Sequence, residues 1–224
     1  MTPTKPPLTA LAAALMLMMA SCSPSRYFAG TRPPELALVE PVAYMSYVQR
    51  DGELVPDDSL SLVSTSMLTR MFTSSGLPVV DIVPVDYWGH DSTLLPLVEL
   101  LPAIDVRQLK RAVVPEPIRQ LLRERGHRYG LLVYADGFVR DGRNYAAGVA
   151  TGVAVAVFSA LLTGGSSAYL AFPNKYGSHV FVMVVDAEDN RVLFYNKSTP
   201  SEANPLNAKS LRKQVRQLVE KLVG

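Results

Sequence analysis

A chain of 224 residues, 48% of them hydrophobic, is long enough for one domain of ordinary size with a real core, or two small ones at most. Its 22 basic and 20 acidic residues leave a formal charge of +2 and are interspersed along most of the chain, which excludes the strongly basic face that nucleic acid calls for. The single cysteine, Cys22, excludes an internal disulfide.

Met1 to Pro7 is short and polar, with one positive charge at Lys5. Leu8 to Ala20 is unbroken apolar or small, the length of a signal-peptide core and too short to span a bilayer. It ends in Met19-Ala20-Ser21-Cys22, with Met19 where leucine is usual. This ending resembles the lipobox of bacterial lipoproteins, whose cysteine is acylated and becomes the new N-terminus. The resemblance implies that residues 1–21 are a signal peptide and that Cys22 carries the lipid, including palmitate-type chains. Each buried methylene contributes about 0.8 kcal/mol, so two or three chains anchor a protein stably. Ser23 follows the cysteine, where aspartate would imply retention at the inner membrane. The expected address is the outer membrane, on its periplasmic face.

Residues 22–35 are rich in Pro, Ser and Gly and read as a flexible tether. Leu36 to Val48 is apolar and β-prone, a strand with a break at Pro41. Asp57, Asp58 and Ser59 supply cap chemistry for a helix to Ser75, with Leu60, Val63, Met67, Leu68, Met71 and Phe72 as its apolar face. Gly76 and Pro78 stop it. Val79 to Val85 reads as a second strand.

From Ser92 to Arg128 the chain is helical but interrupted, with a last helix opened by Pro115 and Pro117 and closed by Gly126. Tyr129 to Val139 returns to strand, with Asp136-Gly137 expected as a bulge or tight turn. His179 to Ala187 and Arg191 to Asn196, joined at Glu188-Asp189-Asn190, form an antiparallel hairpin. A final helix covers Leu206 to Val223, with Leu211, Val215, Leu218, Val219 and Leu222 as its buried stripe. The order predicts a single α/β (α+β) domain over residues 36–224, a mixed sheet of about five strands with helices packed on it.

The strand–helix–strand opening, the strand ending in Asp-Gly, the hairpin and the last helix resemble periplasmic α/β domains of the TolB N-terminal and curli-secretion-lipoprotein type. That resemblance implies an assembly or envelope component acting through protein contacts, not an enzyme.

Residues 145–172 form an apolar, small-residue segment without charge. Within it Ala146 to Gly165 is about the length needed to cross a hydrocarbon core. Gly148, Gly152, Ala156, Ala160 and Gly164 recur every fourth residue, as in small-residue packing seams. Three readings stay open: a buried core element, a membrane-associated helix or hairpin, and a seam between subunits of a homo-oligomer.

Chemistry is sparse. Asp86, Trp88, His90 and Asp91 form a loop able to hold a ligand, or simply a turn anchored by Trp88. His90 with Asp86 or Asp91 falls short of a closed metal site, so neither metal nor cofactor is expected. His127 and His179 stand isolated, and no nucleophile elbow or phosphate loop occurs, so no catalytic residue is assigned. Lys209, Arg212, Lys213 and Arg216 share one helical face, suited to anionic lipid or an acidic partner, or else simply solvated. The expected role is structural, through envelope protein partners; the alternative is a periplasmic binding module for a small molecule or lipid.

Overall fold

The computed structural model describes residues 34–49, 53–85, 109, 112–140, 174–198, 202 and 204–223. Among these residues seven strands and three helices follow one another. They are β1 (Leu36–Val39), β2 (Val42–Val48), β3 (Leu54–Pro56), α1 (Asp58–Thr73), β4 (Val79–Val83) and α2 (Glu116–Glu124). Then come β5 (Tyr129–Arg140), β6 (Tyr176–Asp186), β7 (Arg191–Lys197) and α3 (Ala208–Val223).

The sheet is mixed, as expected. β5 pairs in parallel with both β1 and β2, and antiparallel with β6, which continues to β7. β1 and β2 are one strand interrupted at Glu40-Pro41. Leu38 faces Leu131 and Val42 faces Tyr134, so four steps on one side match three on the other. Proline lacks the N–H a ladder needs, and the extra residue is accommodated there. The far edge of this broken strand holds β4 in parallel at one end and β3 antiparallel at the other. Seven strands therefore occupy five positions.

Alternation along β5 and β6 divides the core into two layers. Leu131, Val133, Val180, Val182 and Val184 meet α1 and α3 through Leu68, Phe72, Leu211 and Leu218. Leu132, Met183 and Val185 meet α2 through Ile118 and Leu122. A register shift in β7 sets Phe194 beside Val184, so it joins the first layer while Val192 and Tyr195 join the second.

Local chemistry fixes α1. Its cap, Asp57, accepts from the Leu60 amide at 3.0 Å, and the Ser61 hydroxyl accepts from the Met45 amide at 3.0 Å. The helix start is thereby pinned to β2. It ends at Thr73, and Gly76 in the turn that follows has a φ of 85°, which favours glycine.

Several expectations are corrected. The strand passes straight through Asp136-Gly137, with unbroken pairing to β2 and β6. Glycine serves close approach there: a Cβ on Gly137 would lie 2.6 Å from the Gly177 carbonyl oxygen. Gly177 in turn lies under the Phe138 ring, 2.3 Å from where its own Cβ would stand. Val63 is 49% exposed and not on the buried face of α1, which Ser64 and Thr65 share instead. Val219 is only partly buried, and Gln214 takes a buried place on α3. β3 was not foreseen at all.

Candidate functional site

Several residues singled out in the sequence fall outside the described part of the chain. That holds for Cys22, for the seam Gly148, Gly152, Ala156, Ala160 and Gly164, and for Asp86, Trp88, His90 and Asp91. Among the described residues no helix is long and apolar enough to cross a membrane, and no group of three His, Cys, Asp or Glu could hold a metal ion.

What the fold does build is a groove between α1 and α3, with a volume of about 820 Å³. Asn207 starts α3, its side-chain oxygen accepting from the amides of Lys209 and Ser210. Five residues of α3 then turn inward: Leu211, Gln214, Val215, Leu218 and Leu222. Gln214 accepts from the Ser178 hydroxyl of β6 at 3.1 Å, a buried polar contact that fixes the rotation of α3 on the sheet. That rotation leaves Val219 and Val223 on the flank facing α1, where Met67 and Met71 face back. These four side chains make an apolar surface, and the two unbranched thioethers can adapt to what they meet.

Arginines stand on both walls, Arg70 on α1 and Arg212 and Arg216 on α3. Glu220 is the acidic residue of the lining and approaches Arg216 at 3.6 Å, between two exposed side chains. Among the described residues Arg70 and Arg212 have no ion-pair partner. Like charges on opposite walls repel one another, and nothing in the lining neutralises them fully. The carbonyls ending α1 are occupied by hydroxyl donors, Ser74 Oγ to Arg70 O at 2.8 Å and Ser75 Oγ to Phe72 O at 2.6 Å. The basic face on α3 was legible, but the position of Arg212 and Arg216 beside Arg70 was not.

The two histidines expected to be isolated are each paired. His127 Nε2 lies 2.9 Å from Asp81 Oδ2, joining the end of α2 to β4. This hydrogen bond outweighs partial burial and holds the Asp81 carboxyl below its usual range. His179 Nδ1 lies 2.6 Å from Asp136 Oδ1 across β5 and β6. Phe181 packs beside it, its ring tilted on Tyr134 at 5.6 Å. Burial, then the Asp136 charge and Tyr44, pushes the Tyr134 phenol up to about 12, so it stays protonated at neutral pH. The carboxylate orients the imidazole, which suits proton handling in principle.

At the opposite end of the hairpin, Arg128 reaches Asp186, Glu188 and Asp189 at 3.0 Å each. Arg123 Nη2 donates to the Ala187 carbonyl at 3.1 Å, tying α2 to the same turn. Every partner here is an element of the fold, so this network serves the hairpin's shape.

No family model matches the chain, and no curated protein matches it. Solved structures that align with it weakly include the following three. The PelC dodecamer from Paraburkholderia phytofirmans aligns with TM-score 0.36 and 9% identity over 86% of this chain and 89% of that one. The LpoB C-terminal domain from Salmonella enterica aligns at 0.31 and 9%, covering 84% and 92%. Protein XCC0632 from Xanthomonas campestris, of the DUF330 family model, aligns at 0.32 and 11%, covering 85% and 81%.

Proposed function

We propose that the chain is a lipoprotein of the bacterial envelope, tethered through lipid on Cys22 to the periplasmic face of the outer membrane, and that it works by docking a protein partner. The lipobox-like run ending at Cys22 supports the tether, and residues 22–35 supply the slack that lets the domain reach a partner. The observation that carries the docking role is the groove between α1 and α3: an apolar surface from Met67, Met71, Val219 and Val223, with arginines on both walls. Such a surface combines the adaptable apolar contacts and the steering charges of protein recognition.

A second reading, capture of a small molecule or lipid, has one observation in its favour. The groove volume of about 820 Å³ lies within the range of small-molecule sites.

One experiment separates the two. A photocrosslinking amino acid replaces Met71 in the full chain, expressed in its own envelope and irradiated in intact cells. The docking role predicts a discrete adduct of higher mass that collapses on protease treatment of the partner. A lipid adduct, or none, rejects it. A crosslinker at Leu121, on the other side of the sheet, is the control.

A further inference from the structure

Resting on that docking role, we infer that the groove's occupant is an acidic amphipathic helix of the partner protein, lying alongside α3. The sign of the charge is the first argument. Arg70, Arg212 and Arg216 line the groove against the single carboxylate of Glu220, and that carboxylate is shared with Arg216. Along α3 as a whole, Lys209, Arg212, Lys213, Arg216 and Lys221 face only Glu220. Two of the lining arginines, Arg70 and Arg212, have no ionic partner among the described residues. They line the groove from separate helices, so an anion bound there meets positive charge from both walls.

Shape is the second. The lining of α3 runs from Ala208 to Val223, the whole helix, or about 22 Å at helical rise. A cleft between two helices can receive a ridge of side chains from a third helix. Its apolar surface of Met67, Met71, Val219 and Val223 takes residues at i, i+3, i+4 and i+7, the helix-in-groove pattern. The groove is open to solvent, so an acyl chain in it would stay partly wet, whereas a helix buries only its apolar stripe. Glutamates flanking that stripe would then reach Arg70 on one wall and Arg212 and Arg216 on the other.

The test uses the full lipidated chain in neutral detergent. The probe is a dye-labelled helical peptide of about four turns, long enough to follow α3, with leucines at the spacing above and glutamates flanking them. A twin carries lysine for every glutamate, and a short-chain soluble phosphatidylglycerol competes. Fluorescence anisotropy should show that the glutamate peptide binds, that its twin does not, and that the lipid fails to displace it. Arg70→Glu with Arg212→Glu should weaken binding about tenfold or more and give the lysine twin measurable affinity. Arg70→Gln with Arg212→Gln, a milder change at two exposed positions, should weaken it less and leave the thermal midpoint unmoved. Equal binding of the two peptides, indifference to the arginine variants, or displacement by the lipid would overturn the inference. Should the peptide fail while the Met71 photoadduct is still a protein, the helix is the wrong occupant and docking survives. Should both fail, docking falls with it.

Discussion

Arg128 grips Asp186 with two nitrogens, Nε 3.2 Å from Oδ1 and Nη2 3.0 Å from Oδ2, although the Asp186 residue has no exposed surface. The same carboxylate accepts from the amides of Glu188 and Asp189, so one side chain shapes the β6–β7 turn and fastens it to the start of β5. Burial alone would raise its pKa; the Arg128 hydrogen bond and the two amides together outweigh burial and hold it below the ordinary value.

A lowered folded pKa gives the pH prediction its sign. The stabilisation is complete above the unfolded aspartate value of about 3.9 and is lost as pH falls through the folded value. Asp81, also lowered, acts in the same direction. Urea unfolding followed from neutral pH to acid should show falling stability below about pH 4. Asp186→Asn should cost about 2–3 kcal/mol at neutral pH and flatten that acid limb. An acid limb identical to the parent's would show that Asp186 does not contribute to it.

Gly137→Ala should destabilise by about 1–3 kcal/mol, since the new Cβ meets a backbone oxygen and the β5–β6 pair must spread. Gly130→Ala has side-chain carbons of Leu122 and Val185 as its nearest neighbours, in place of a backbone oxygen, and should cost less. Thermal midpoints of the two variants, compared directly, decide the order.

Ser64 offers the opposite case. Its hydroxyl is fully buried on α1 and has no hydrogen-bond partner among the described residues. Ser64→Ala removes an unsatisfied group and improves helix propensity, so stability should rise by about 1 kcal/mol in a denaturant titration. A loss would mean that the hydroxyl is satisfied in solution.

Arg216→Ala should change stability by less than about 1 kcal/mol, because its pairing with Glu220 is long and both side chains are exposed. The same variant should still weaken the glutamate peptide, which separates a role in binding from a role in folding.

Elements written in local chemistry were legible in the sequence. Asp57 announced the start of α1, Pro115 and Gly126 bracketed α2, and Pro41 marked the break in the first strand. β3 was not legible, being three residues long with no buried alternation. Asp136-Gly137 misled because glycine was read for its turn geometry, while the structure uses its missing side chain. The His–Asp pairs join residues 46 and 43 positions apart, brought together only by the tertiary fold, the second of them by direct strand pairing. The groove has the same origin. The bases of α3 could be counted, but their place beside Arg70 follows from two helices lying side by side on one sheet face.

The most direct measurement uses the fact that Cys22 is the only native cysteine and is consumed by lipid in this account. Met71→Cys and Val223→Cys each place one free thiol in the groove, and Leu62→Cys places one at a residue 47% exposed on α1 and away from it. Maleimide labelling is compared between intact envelopes and the purified full chain. Both groove thiols should be protected in the envelope and reactive after purification, while Leu62→Cys labels alike in both. Equal labelling of the groove thiols in the two settings would mean that nothing docks there, and would contradict the docking role.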